Sequence, residues 1–266
     1  MYTADFHVHS RFSPDGREPM EALAAAAAER GLDEICVTDH VDVAEGGRTA
    51  PLGWAERLAE YRAAACRWDG KVRLRLGVEL GDMVLDFPAA EELLRQMPEL
   101  DFVIGSLHAM SPAFGRRDLC FVDRDDLGRL DGLLWDYLAE LLRHARWGRF
   151  SVMGHLTLPA RYLAAKFGRE VSFHPYREEI AQIYRALIEN GCGIECNTSR
   201  GKLFLPDREL LALYRELGGE IVTLGSDAHR REDVGAGIRE GQELLRSCGF
   251  RYVCTFEKMR PVFRAL

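Results

Sequence analysis

No apolar run in this 266-residue sequence approaches the ~20 residues that cross a bilayer, so it offers no membrane span. No C-x-x-C occurs among the seven cysteines; the closest pair, Cys192 and Cys196, has three residues between. An odd, scattered set of cysteines in a chain of this size reads as reduced and cytoplasmic. An excess of positive charge is missing too. The net charge is −7, which argues against a nucleic-acid surface, and no basic stretch interleaved with aromatics is present. There is no P-loop. Nothing cleavable precedes the first chemistry-bearing residue at position 7, so no secretory leader is expected. No Ser/Gly or Pro tract interrupts the chain, and residues 1–266 are expected to form one domain. What is present is a composition 47% hydrophobic and 29% charged, enough to bury a full core without staples.

Short apolar runs alternate with helical patterns. The expected strands are "TADFHVH", "EICVTDH", "VRLRLGVEL", "LDFVIGSLH", "RFSVMGH", "GCGIECN" and "EIVTLGSDAH", with "RYVCTF" as an eighth or an extra edge. "PMEALAAAAAERG", "PYREEIAQIYRALIENG" and "PDRELLALYRELGG" each place proline near the start of a helix and glycine at its stop. Strand–helix repetition at this spacing implies a parallel sheet. Seven or eight such units fit a closed or nearly closed TIM-like barrel, with a doubly wound open sheet as the alternative. Two tempting motifs fail. "DRDDLGRLDG" (123–132) puts leucines where a calcium loop needs ligands, so it is a solvated loop or helix start. "GAGIREG" (235–241) has the wrong glycine spacing for a dinucleotide fingerprint.

The strand ends carry the chemistry. The first ends in His7 and His9, the second in His40, the third in Glu79, the fourth in His108, the fifth in His155, and the seventh in Asp227 and His229; Asp15 lies in the first loop. Six of the eight histidines therefore share one topological position. In a barrel those ends meet on one face, and residues i and i+2 of a strand project together. A single such histidine would be an ordinary core or surface residue. Six together with three acids need cations to coexist in a small volume. One metal takes about four to six donors, so nine imply two or three ions, with Glu79 the natural bridge. Histidine and carboxylate donors without thiolate suit Zn, Mn or Fe. Cys36, Cys192 and Cys196 read as core. His144, inside a helical pattern, and His174, at a helix start, are read as structural.

Taken in order, "HVHS", "TDH", "GVEL", "GSLH", "GH" and "GSDAH" resemble the polymerase-and-histidinol-phosphatase (PHP) family. "DFVIGSLH", "GIECNTSR", the long segment ending "GSDAHR" and the tail "YVCTFEKMRPVF" look most like its monofunctional histidinol-phosphate phosphatases. The resemblance implies a distorted barrel of about seven βα units with three metals. It implies that His7, His9, Glu79 and Asp227 share one ion, that Glu79, His108 and His155 hold a second, and that Asp15, His40 and His229 hold a third. Asp15 stands where some members carry His, which is still a ligand type. Three divalent ions against three carboxylates and one hydroxide would leave roughly +2 for a phosphate dianion. The expected reaction is in-line attack of a metal-activated hydroxide on phosphorus, with no phosphoenzyme.

Phosphate also wants a guanidinium fork. Arg161 and Arg200 follow two strand ends and match phosphate-binding positions of similar phosphatases; Ser199 is a weaker partner. Asp42 and Glu45 are candidates for a cationic amine or imidazole. The expected substrate is a small phosphomonoester, L-histidinol phosphate first and a nucleotide or another small ester second. An amidohydrolase and a non-catalytic metal module are the remaining alternatives. The first is disfavoured because the third strand offers Glu79 rather than a lysine, the second because no ligand is missing. Neither a membrane nor a nucleic-acid partner is expected, and the sequence leaves oligomeric state open.

Overall fold

The computed structural model describes residues 1–43 and 53–266. Seven parallel strands, β1 (Ala4–Val8), β2 (Glu34–Asp42), β3 (Arg73–Gly81), β4 (Phe102–Ser106), β5 (Val152–Met153), β6 (Gly193–Asn197) and β7 (Val222–Gly225), lie side by side in chain order. That order excludes a doubly wound sheet, in which the strand sequence reverses. The ring nearly closes. Beyond the end of β7, Ala228 bridges Val8 in parallel fashion, and Asp227 N donates to His7 O at 2.9 Å. The architecture is thus a distorted TIM-like (βα)7 barrel.

Nine helices of the described residues follow or flank these strands: α1 (Met20–Glu29), α2 (Trp54–Trp68), α3 (Phe87–Gln96), α4 (Arg124–Leu127), α5 (Leu130–Trp147), α6 (Leu158–Phe167), α7 (Arg177–Glu189), α8 (Arg208–Glu216) and α9 (Ile238–Ser247). Their ends follow the expected grammar with local changes. Pro19 precedes α1, and Gly31 ends it in a left-handed conformation. Pro175 sits in a 3-10 turn ahead of α7 rather than inside its first turn. Asp207, next to Pro206, caps α8 by accepting from Glu209 N and Leu210 N. In "DRDDLGRLDG" the helix-start alternative holds: Asp123 and Asp126 form a capping box on α4, and Asp126 pairs with Arg117.

Barrel strands are buried along nearly their whole length because helices cover one face and the barrel interior the other. The interior is layered. At the amino ends of the strands, Phe6, Cys36, Phe102, Ile104 and Val152 form an apolar plug. "RYVCTF" does not join the barrel. It is β8 (Tyr252–Glu257), paired antiparallel with β9 (Arg260–Ala265), and this hairpin presses Cys254 and Phe256 into the plug. Phe102 meets Phe6 edge-on at 5.2 Å and Phe256 at 5.0 Å. Each such burial contributes about 1.5–3 kcal/mol. The polar layer at the carboxyl ends therefore rests on a packed apolar floor. Among the described residues no helix is long and apolar enough to cross a membrane, and all seven cysteines are free.

Candidate metal centre

Glu79, only 1% exposed, stands at the centre of the polar layer. Its Oε1 lies 2.8 Å from His155 Nε2 and 3.2 Å from His108 Nε2. Its Oε2 lies 3.1 Å from His40 Nδ1, 3.2 Å from His7 Nε2 and 3.4 Å from His9 Nε2. Each oxygen thus faces its own group of imidazoles. Asp227 Oδ1 lies 3.4 Å from His229 Nδ1, 3.6 Å from His9 Nε2 and 3.9 Å from His7 Nε2. Asp15 reaches in from the first loop, 2.9 Å from His229 Nε2 and 3.7 Å from His40 Nε2. All nine expected donors are brought together.

Charge at this density shifts the acids and several of the imidazoles. Burial alone would raise the Glu79 carboxyl, but His7, His40 and His108 outweigh it and hold it well below the usual range. Asp227 is likewise held low against burial, chiefly by Arg161 and His7. Burial and the neighbouring His40 and His229 push His9 well below its ordinary value, and burial lowers His155. Ionised Glu79 and Asp227 and neutral His9 and His155 are in the states that ligation needs. At His7, His108 and His229 burial would lower the ring, but the facing carboxylates outweigh it and push the ring up, so cation binding there must release a proton. The fit to cations also shows in unmet valence. His7 Nε2, His9 Nε2 and His40 Nδ1 are buried with no hydrogen-bond partner. The remote nitrogens of two of these rings are engaged: His7 Nδ1 is 2.6 Å from Glu195 Oε1, and His9 Nδ1 is 2.9 Å from Ser13 Oγ. The free nitrogens all point into the cluster. Four triads, His7–His9–Asp227, His7–Glu79–His155, His40–Glu79–His108 and His9–His40–His229, each bring three donor atoms within 4.8 Å of one another. These donors suit divalent transition ions.

The backbone is bent to achieve this. His155 (φ 22°) and Asp227 (φ 60°) occupy the left-handed side, as do Ser199 (φ 46°) and Arg200 (φ 58°). Each costs on the order of 1–3 kcal/mol and persists only where neighbours enforce it. Here His155 N donates to Glu195 Oε2 at 2.8 Å, and Arg200 N to Ser226 O at 2.9 Å. Close approach is also needed at Gly225, where an added Cβ would stand 2.3 Å from Glu195 Oε1 and 2.4 Å from His7 Cβ.

The cluster opens into a cleft of about 550 Å³ whose walls include Arg161, Arg200, Tyr162 and Asp42. Arg161 donates to Asp227 Oδ2, so it touches a candidate ligand directly. Arg161 Nε and Arg200 Nε are buried without an acceptor. Ser199 is buried and lines a neighbouring hollow with Arg161 and Lys202 rather than the cleft wall. Asp42 lies 3.6 Å from His108 Nδ1; Glu45 lies outside the described residues. His144 and His174 stand apart from the cluster. His144 is buried in α5 and accepts from Val84 N at 3.0 Å, while His174 sits exposed beside Asp207.

Several further buried acids, which escaped the sequence analysis, support the layer: Asp82 accepts from His108 N at 2.7 Å and Ala109 N at 2.8 Å, and three more lie inside strands near the cluster. Asp5 receives Ser226 and Gly235 backbone N–H groups, Asp39 receives Ser10 and Ser13, and Glu195 receives His7 and His155. Their signal was an acid inside an apolar strand, as in "ADFHV" and "GIECN". Such a carboxylate cannot be buried without partners.

Comparison with known proteins agrees with this geometry. Residues 5–199 match the PHP domain family. A histidinol-phosphatase of Lactococcus lactis is 27% identical, with 98% of this chain and 96% of the relative covered. A probable histidinol-phosphatase of Deinococcus radiodurans is 30% identical, covering 97% and 98%. Among solved structures, the histidinol phosphate phosphatase of L. lactis, complexed with Zn, L-histidinol and phosphate, superposes with a TM-score of 0.83 at 25% identity, covering 98% of each chain. A putative histidinol phosphatase of Listeria monocytogenes shares the fold, with a TM-score of 0.77 at 20% identity over 89% of this chain and 99% of that one. With the motif order, the barrel and the nine-donor cluster in agreement, the chain belongs to the PHP family.

Proposed function

We propose that this chain is a metal-dependent phosphomonoesterase that hydrolyses L-histidinol phosphate to L-histidinol and phosphate, acting as a single domain in the cytoplasm. The observation that carries the reading is one cleft in which nine metal-type donors and two guanidinium groups meet. The L. lactis structure was solved with Zn, L-histidinol and phosphate, which supports this choice of substrate. Two to three Zn, Mn or Fe ions are assigned to the donors. His7, His9, Glu79 and Asp227 would hold one, Glu79, His108 and His155 a second, and Asp15, His40 and His229 a third. The division of Glu79 supports the first two sets: Oε1 faces His108 and His155, while Oε2 faces His7 and His9, with His40 of the third set beside them at 3.1 Å. Ions held there supply Lewis acidity and bring the pKa of water down towards ~7, which makes a nucleophile at neutral pH.

The chain's own residues do the rest. Arg161 and Arg200 bind the phosphate through donors that lack a protein acceptor, with Ser199 the weaker partner. Asp42, on the cleft wall, meets the cationic end of the substrate. The apolar plug beneath keeps bulk water to one side of the site. The test is phosphate release by the Zn- or Mn-loaded protein from L-histidinol phosphate, nucleotides, sugar phosphates and an oligonucleotide. Histidinol phosphate should give the highest kcat/KM. A nucleotide or sugar phosphate turned over faster would move the assignment to another phosphomonoester.

A further inference from the structure

Glu195 belongs to no ligand set above, yet it touches two of them. It projects from β6 into the polar layer and is 1% exposed. Its Oε1 lies 2.6 Å from His7 Nδ1, the nitrogen of that ring turned away from the cluster. Its Oε2 accepts the backbone N–H of His155 at 2.8 Å and the Asn197 side-chain amide at 3.1 Å. The two strands that flank it leave room. An added Cβ on Gly225 would be 2.3 Å from Oε1, and one on Gly154 would be 3.7 Å from Oε2. The His155 N–H and the Asn197 amide can only donate, so Oε2 accepts; Oε1 faces a ring nitrogen that donates in the Nδ1–H tautomer.

We infer that Glu195 is a positioning residue that sets two ligands at once, fixing the His7 ring so that Nε2 presents its lone pair to the metals and pinning the strained His155 peptide so that its ring faces Glu79. The inference rests on the metal reading above. A ligand imidazole whose second nitrogen is held by a carboxylate is locked in one tautomer and one orientation, and loss of such a partner typically weakens metal binding 10–100-fold. One residue on β6 thereby ties β1 to β5, two strands whose ligands are assigned to different ions. Glutamine is the discriminating replacement. It has the same shape, but its amide nitrogen must face a donor whichever way it turns: the His7 Nδ1–H on one side, or the His155 N–H and Asn197 amide on the other.

The test titrates Zn²⁺ into the full-length, metal-stripped protein against a chromophoric chelator, for the parent and Glu195→Gln. Thermal unfolding of both metal-free proteins separates positioning from general destabilisation. A parent that takes up no Zn²⁺ removes the metal reading itself. If the parent binds Zn²⁺, Glu195→Gln should bind its tightest ion 10–100-fold more weakly, with a metal-free melting temperature close to the parent's. Affinities within twofold of each other would overturn the role of Glu195. Should the variant not fold, spectra of the Zn-loaded parent labelled with ¹⁵N-histidine decide. A His7 ring protonated at Nδ1 is expected, and one protonated at Nε2 overturns the inference.

Discussion

Glu34 and His40 sit at opposite ends of β2, as Arg75 and Glu79 do on β3, and the two ends settle buried charge by different means. At the amino end Glu34 is fully buried. It receives Arg75 Nε at 2.6 Å and Tyr2 Oη at 2.7 Å, with Arg264 3.8 Å away. Arg75 also reaches Glu257 at 3.0 Å and Asp101 at 3.5 Å. The acids there meet guanidinium groups of the chain itself. At the carboxyl end, Glu79, Asp15 and Asp227 face six imidazoles, and the one guanidinium that donates to them among the described residues is that of Arg161. Three of the nitrogens aimed at them, His7 Nε2, His9 Nε2 and His40 Nδ1, lack partners. The same two strands therefore build a closed ion network at one end and a set of donors awaiting external cations at the other. The difference teaches that buried acid alone does not mark a site. What marks it is buried acid whose counter-charge the chain does not supply.

That contrast can be broken in four ways, from the largest effect down. Glu79→Gln removes the carboxylate that both ligand groups share. Activity should fall ~10²–10³-fold or more, the scale of losing a principal electrostatic stabiliser, and bound metal should fall with it. Near-parental turnover at unchanged metal content would remove Glu79 from the bridge. Arg75→Met should do the opposite. Glu34 would keep Tyr2 Oη and the more distant Arg264 but lose its nearest counter-charge, which should cost up to about 3–5 kcal/mol in denaturant unfolding, while the metal content of the folded fraction stays unchanged. Pairing it with Glu34→Leu should recover much of that loss, because the orphaned charge goes too.

Next, Arg200→Ala should lower kcat/KM by about one to two decades, the ~1.5–3 kcal/mol of a charge-assisted hydrogen bond, without loss of metal. Arg161→Ala should show the same kinetic loss together with weaker metal retention, since its guanidinium contacts Asp227. Equal metal retention by the two variants would show that the Asp227 contact is incidental. The smallest effect lies away from both ends. Burial, with Arg143 nearby, lowers His144 from 6.5 to about 3. Below pH 6.5 the unfolded chain binds a proton that the folded chain refuses, so stability falls as pH falls. The slope should approach about 1.4 kcal/mol per unit between roughly pH 6 and 4. His144→Gln keeps an acceptor for Val84 N and should flatten that part of the profile; an unchanged slope would mean that other groups set it.

Much of the molecule was legible because barrel strands announce themselves twice, as apolar runs and as polar residues at one end. All seven were found that way, even β5, which has only two residues in regular pairing, because "MGH" ends it as "GSLH" ends β4. The hairpin was half seen. β8 is apolar, but β9 is "RPVFRA", partly exposed and interrupted by proline, so its pairing with β8 has no local signature. Glu195 was missed for a different reason. A ligand at a strand end shares its position with other ligands, whereas an outer carboxylate in mid-strand is recognised only by what it touches. Ser199 shows the same limit: chain position sets it beside Arg200, but with left-handed backbone at both residues its side chain is buried outside the cleft wall.

The carboxyl-end cluster is expected to work only with cations bound among its nine donors. The most direct measurement follows phosphate release from L-histidinol phosphate by one preparation as purified, after chelation and after reloading with Zn²⁺, with metal content determined at each stage. Two to three ions per chain are expected as purified, with loss of activity in step with their removal and recovery on reloading. Full activity in protein shown to be free of metal would contradict that expectation.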